Sequence, residues 1–228
     1  MGLKLGLVYR NPCDAVDAPR ESEREIQPPS KIVVKRLLES ALDTPHGTAI
    51  WLLAYSGMRR GEVVALMRDG LDLDKGTVSI SQSVARQDSK LTLVPVKSRT
   101  SRRMIHLDAA TIAVLRLHLV RTAEHRLAAG PAYEEMGLLF PNIWGGLNDP
   151  DSITKTWRRL CREAGVRCRL HDLRHHHASA LIEAGVHIKA IQTRLGHSSP
   201  SLTMSVYSHV TPGMDKAAAE AYADAMNG

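Results

Sequence analysis

The chain has 228 residues, of which 43% are hydrophobic and 24% charged, with a net charge of +6 and a pI near 9.4. That length and apolar content supply one sizeable packed domain, alone or with an appendage, and exclude global disorder. The aromatic fraction of 4%, with one Phe, argues against the stacking platforms of single-strand binders, while the basic balance suits a polyanion without requiring one.

Three cysteines (Cys13, Cys161, Cys168) form no CxxC pair and no even framework, which fits a reducing cytoplasm. The opening residues lack the apolar core and cleavage site of a signal peptide, and no apolar run has the length to cross a bilayer. The expectation is a soluble cytoplasmic chain with no membrane partner.

Residues 11–30 are rich in proline and charge and read as a linker or surface arm. Ser30 is positioned to cap a helix over KIVVKRLLESAL. A second helix runs from Gly47 and stops at Gly57, and a third opens near Arg59 with RRGEVVALM. Between Gly70 and Asp108 the period shortens, and GTVSIS, KLTLVPV and RRMIHL read as three strands of one small antiparallel sheet.

Helical patterns follow: ATIAVLRLHLVRTAEHRLA with an apolar stripe to Gly130, and DSITKTWRRLCREAG with Asp151 and Ser152 at its start. LHDLRHHHASALIEAG ends at Gly185 and HIKAIQTRLG at Gly196; a short piece spans about 200–208, and an Ala-rich helix covers 213–226. The class is mainly α with a small three-stranded antiparallel sheet.

Four segments carry side chains suited to phosphate binding or proton transfer. In SGMRRGEVVAL, Arg59 and Glu62 share a helical face, so Arg59 is placed to grip a phosphate with Glu62 supporting it; an ordinary i,i+3 ion pair explains the same spacing. In HDLRHHH, His171 and Arg174 also share a face. A solvated basic face, or a metal pair of His171 and His175, is open at that point. His197 in LGHSS stands ten positions before Tyr207 in SVYSHV. Taken singly, both are as readily packing residues. Lys97 falls where the strands turn, among Arg99, Arg102 and Arg103, with Lys90 a second candidate.

In this order, Arg59, Lys97, HxxR, GH and Tyr207, the segments resemble the tyrosine recombinases, or phage integrases, from about Glu25 to Val210. LLFPN is similar to a further family feature. The resemblance implies the family's DNA breaking-rejoining catalytic fold and a site-specific recombinase that cuts and rejoins double-stranded DNA through a 3′-phosphotyrosyl intermediate. It implies Tyr207 as nucleophile and Arg59 and Arg174 as clamps on the non-bridging oxygens. His171 and His197 handle protons, Lys97 protonates the leaving 5′-oxygen, and Glu62 supports. Arg60, Arg99, Arg102 and Arg103 are expected to face DNA.

No metal, nucleotide or other cofactor is called for, and a homo-oligomer, a tetramer on two duplexes, is implied. The implied division is 1–24 as the end of a core-binding domain and linker, 25–210 as the catalytic domain and 211–228 as a tail helix. Its apolar side, Met214, Ala217, Ala218, Ala221 and Met226, docks on a neighbouring protomer or on its own domain; Tyr222 there is a rival tyrosine.

Three alternatives explain part of the pattern. LIEAGVHIKAIQTRLGHSS has the form of a helix–turn–helix, which would make a DNA-binding regulator without catalysis. A type IB topoisomerase would use a similar constellation to relax supercoils. A nuclease built on the histidines would require a metal.

Overall fold

Ser30 caps the first helix as its position predicts: its Oγ accepts from the Val33 backbone N–H, and α1 runs Lys31–Ala41. The computed structural model describes residues 29–96 and 101–196, with Gly6, Tyr9, Ala223 and Met226. The short piece expected at 200–208 and most of the helix expected at 213–226 lie outside the described residues.

Helix α2, Gly47–Ser56, is apolar nearly all round, and Ile50, Leu52 and Leu53 are each at most 2% exposed, so it forms the centre of the core. Each such side chain contributes about 1.5–3 kcal/mol by leaving water. Trp51 stacks on Tyr55 at 4.5 Å and donates its ring N–H to Thr111 Oγ1 at 3.2 Å. Gly57 ends the helix at φ +68°. Helix α3, Arg60–Val64, is shorter than RRGEVVALM promises, because Ala65 takes the closing turn.

The strands differ from the expected single three-stranded sheet in which segments pair. Strands β1 (Leu71–Asp72), β2 (Thr77–Ile80) and β5 (Arg103–His106) form one antiparallel sheet in the order β1-β2-β5. KLTLVP pairs instead with Gln82–Gln87, making a separate hairpin of β3 (Gln82–Gln87) and β4 (Lys90–Pro95). Its two-residue turn places Asp88 and Ser89 at φ 45° and 65°, the left-handed pair that matches strand twist. Without an Asn-Gly signal, and with a polar first strand, the hairpin gives little warning in sequence.

Alternation in β5 turns Arg103 and Ile105 inward and Met104 and His106 outward, with Arg103 opposite Ile80 and Ile105 opposite Val78. Helix α4, Ala109–Ala129, buries Leu115 while leaving Leu117, Val120 and Leu127 exposed, so its apolar residues are not confined to one stripe. Helix α5, Pro150–Glu163, begins two residues early, with Asp149 as cap for the Asp151 N–H at 2.9 Å.

One large core takes in α1–α5 and the three-stranded sheet. Helices α6 (Asp172–Glu183) and α7 (Ile188–Leu195) share a small second cluster of Ala178, Ile182, Ile191 and Leu195. Among the described residues, no helix is long and apolar enough to cross a membrane.

Candidate active site

Arg59 stands at the start of α3, and Glu62, one turn on, reaches back to it twice. Glu62 Oε2 accepts from the Arg59 backbone N–H at 3.0 Å, and Oε1 from Arg59 Nη1 at 2.9 Å. The first contact is the return arm of a capping box, satisfying a helix-start N–H that has no partner within the helix. Glu62 is buried, its side chain 3% exposed, whereas Arg59 keeps 41% of its side chain open.

Arg174 arrives from α6 and is 4% exposed. Its Nη1 donates to Gly57 O and its Nη2 to Leu195 O at 2.8 Å. Both acceptors sit at helix C-termini, where unpaired carbonyls and the helix dipole favour a cation. Burial, reinforced by the charges of Arg59 and Arg103 and opposed by Glu62, pushes Arg174 down to about 9, which leaves it charged at neutral pH.

The left-handed glycines set these approaches. A Cβ on Gly57 would stand 2.5 Å from Leu195 Cδ2, and one on Gly196 (φ +66°) 2.8 Å from Arg103 Nη1. Gly196 O accepts from Arg59 Nη2 at 3.2 Å, so the end of α7 also holds the first arginine.

Arg103 departs from expectation. The basic run around it points to DNA, but strand alternation turns it inside, its side chain 3% exposed. Its Nη2 donates to Glu62 Oε2 at 2.9 Å, Nη1 to Ser101 O at 3.0 Å and Nε to Arg194 O at 2.7 Å. The guanidinium is spent on protein acceptors and lies beneath the site. Burial works to raise the Glu62 carboxyl, yet the Arg103 hydrogen bond and charge, with the Arg59 N–H and charge, hold it below the usual carboxylate range.

His171 stands exposed at the α6 start, and its ring meets His175 edge-on at 4.9 Å. Partial burial, then the nearby His175 and Arg174 charges, lower its pKa. Among the described residues, no three His, Cys, Asp or Glu side chains gather as metal ligands.

Arg59, Arg174 and His171 share one cleft of about 640 Å³, whose walls add Arg60, Arg86, Arg158 and Arg169. On its rim Arg60 donates to Asp151 at 2.5 Å and to Thr154 at 2.9 Å, and Arg86 donates to Asp149 at 2.7 Å. Arg102 points outward on the surface, and Lys90 is exposed at the start of β4. Lys97, Arg99, His197, Tyr207 and Tyr222 lie outside the described residues.

Sequence reading missed Arg194 and His177. Arg194 Nε donates to His177 Nε2 at 3.1 Å, and its other nitrogens reach His106 O and Tyr55 O. Burial, then the Arg194 charge, pushes His177 down to about 4, so it stays a neutral acceptor.

The fold is that of a tyrosine recombinase catalytic domain. Among solved structures, the chain is similar to the Tn1549 transposon integrase in complex with a circular intermediate DNA, at TM-score 0.75 and 20% identity, covering 97% of this chain and 74% of that one. It is also similar to XerA recombinase, at TM-score 0.64 and 25% identity, covering 91% and 66%. The sequence model of the phage integrase family matches residues 31–214, and the chain belongs to that family.

A tyrosine recombinase XerC-like protein of Caldanaerobacter subterraneus subsp. tengcongensis is 30% identical over 96% of this chain and 61% of its own length. The integrase of Staphylococcus phage L54a is 28% identical over 74% of this chain and 49% of its own length. The chain thus spans about half to three-fifths of these two relatives.

Proposed function

We propose that this chain cuts and rejoins double-stranded DNA as a tyrosine site-specific recombinase, with residues 25–210 as the catalytic part. The observation that carries the reading is the convergence of Arg59 and Arg174, from segments far apart in sequence, on one cleft beside His171. Helix ends and one buried carboxylate hold both guanidinia in place. Phosphoryl transfer is catalysed chiefly by positioning and by stabilising charge on the equatorial oxygens, and a pair of fixed guanidinia does both.

The Tyr207 oxygen attacks the scissile phosphorus as its proton leaves to a base, for which His171 is placed on the cleft wall. Free tyrosine, with a pKa of about 10, needs such cations and an acceptor to react near neutrality. The 5′-oxygen departs with a proton from Lys97, and His197 donates to the phosphate. The 3′-phosphotyrosyl bond conserves the energy of the broken one, so a second strand's 5′-hydroxyl reverses the step on a new partner. On DNA the chain acts as a homo-oligomer, a tetramer across two duplexes, in the cytoplasm. Arg60 and Arg102, both at the surface, take backbone phosphates.

A helix–turn–helix regulator is less well supported. Its two helices, α6 and α7, turn Ile182, Ile191 and Leu195 into their own cluster, and the end of α7 is occupied by arginines.

The test is a nicked suicide duplex, of the sequence the chain selects from a random pool, incubated with EDTA. A denaturant-resistant protein–DNA adduct is expected from the chain and none from Tyr207→Phe. An adduct that persists in Tyr207→Phe removes Tyr207 as nucleophile, and binding without any adduct removes the cleavage reading.

A further inference from the structure

Three consecutive carbonyls at the end of α7 each accept from a different arginine. Arg194 O takes Arg103 Nε at 2.7 Å, Leu195 O takes Arg174 Nη2 at 2.8 Å and Gly196 O takes Arg59 Nη2 at 3.2 Å. A helix end leaves such carbonyls without partners inside the helix, so their pairing with three cations fixes the helix end and the cations together. Two of these arginines line the cleft; the third, Arg103, lies beneath it.

Glu62 links two of the three, Arg59 and Arg103, from the other side. Its Oε1 is shared between Arg59 Nη1 at 2.9 Å and Arg103 Nη1 at 3.3 Å. Its Oε2 is shared between Arg103 Nη2 at 2.9 Å and the Arg59 N–H at 3.0 Å. Were Arg103 absent, the buried carboxylate would have Arg59 as its remaining cation in this set, and the charge Arg59 holds toward the cleft would be drawn back onto Glu62. Arg103 also ties down Ser101 O, four residues after Lys97 in the chain, while Gly196 directly precedes His197.

We propose that Arg103 is a positioning residue for the phosphate clamp. It offsets the charge of Glu62, leaving Arg59 directed to the cleft, and it seats the last turn of α7 on β5, so that the α7 carbonyls set Arg59 and Arg174. This inference rests on the strand-cleavage reading above. A lysine here keeps the positive charge but, as a point donor on a flexible stem, does not span Glu62 and two carbonyls at once.

The experiment compares wild-type chain with Arg103→Lys on the selected suicide duplex, at saturating DNA and well below each melting temperature. Arg103→Lys is expected to keep its circular dichroism and to bind the duplex within about threefold of wild type, while adduct formation slows on the order of 100-fold, the scale of a misplaced reacting geometry. A duplex with a methylphosphonate at the scissile position carries less charge for the clamp to stabilise, so on it the defect is expected to shrink below about tenfold. A loss of the same size on both duplexes, or wild-type speed on the phosphate, overturns the proposal.

If Arg103→Lys does not fold, the Arg103→Met, Glu62→Gln double variant removes both buried charges. With no Glu62 charge left to draw Arg59 back, the variant still lacks the guanidinium that seats the last turn of α7, so its adduct rate is expected to stay on the order of 100-fold down, and a wild-type rate in it overturns the proposal that this seat sets the clamp.

A wild-type chain that forms no adduct counts against the cleavage reading, and a DNA-free measurement then decides the role of Arg103. The Nη–H resonances of Arg174 are expected to be resolved in wild type, where both Nη groups are held, and to average together in Arg103→Lys. If they stay resolved, Arg103 does not position the clamp.

Discussion

Two sets of arginine–carboxylate contacts lie within one cleft region and differ in almost every physical respect. Beneath the cleft, Glu62 and Arg103 are each 3% exposed and share two carboxylate oxygens with Arg59. On the rim, Arg60 with Asp151 and Arg86 with Asp149 pair at 2.5 and 2.7 Å, shorter than the 2.9 Å of the inner pairs, with side chains a third to a half exposed. In water a pair is screened and holds its side chains weakly; inside, each charge depends on its partner because no solvent replaces it. The shorter contacts are the exposed ones, so burial and not length decides which set is held. The inner set is packed beneath the cleft, while the rim arginines face solvent beside two carboxylates at the start of α5.

Removing a partner is the most direct way to break that contrast. Glu62→Ala leaves the Arg103 guanidinium buried without its carboxylate and frees the α3 N-terminal N–H from its cap. A loss of about 3–5 kcal/mol of unfolding free energy is expected from urea denaturation at pH 7. A loss below about 1 kcal/mol would put the inner pair in the same class as a surface pair, and the contrast would fail.

Much of this site was legible as residues and much less as architecture. Arg59, Glu62, His171 and Arg174 stand out because each pair shares one helical face, and the caps at Ser30, Gly57 and Gly196 follow from elementary helix chemistry. The basic run around Arg103 suggests the outer side of the fold, although the strand period says otherwise. In RRMIHL the inward face is set by Ile105, and a period of two carries Arg103 in with it. A cluster of basic letters invites a surface reading that the strand period contradicts.

The Gln82–Gln87 strand carries little signal in sequence because its pattern is polar and its Asp88-Ser89 turn lacks glycine. The pairing of Arg194 with His177, and the α7 carbonyls, are tertiary facts without local signature. The segments bearing Lys97, His197 and Tyr207 lie outside the described residues, so for them the sequence pattern is the whole of the reading.

Acid sharpens the contrast from the inner side. His177 is neutral in the fold, accepting from Arg194, with its pKa pushed from 6.5 to about 4 by burial and then by that charge. A depressed folded pKa means that stability is fully present above 6.5 and is lost as pH falls toward 4, because the unfolded chain takes up the proton first. The group's contribution to that loss is about 3 kcal/mol. Urea denaturation across pH 7 to 4 is expected to show the decline, with a flatter one in His177→Gln. Equal slopes in the two proteins would mean that the titration belongs to other groups. Glu62, also depressed, adds a further loss below its ordinary 4.5, with the same sign.

The smallest effect is expected at the rim, where it falls on binding rather than on the fold. Asp151→Asn removes the charge facing Arg60, whose Nη1 then retains Thr154 as a neutral acceptor. Because both side chains are about half exposed, unfolding free energy is expected to change by less than about 0.5 kcal/mol. On the reading that Arg60 takes a backbone phosphate, Asp151 offsets that cation in the wild-type chain, and removing its charge adds one net cation at the contact. Affinity for a selected duplex should then rise at low salt, and the slope of log affinity against log salt should steepen by about 0.9, the value for one added contact. Fluorescence anisotropy titrations between about 50 and 200 mM salt resolve that change. A steeper slope with an unaltered fold makes the rim a screened reserve for DNA. An unchanged slope with lower stability would instead make Asp151 part of the framework, and the division between rim and interior would have to be drawn further out.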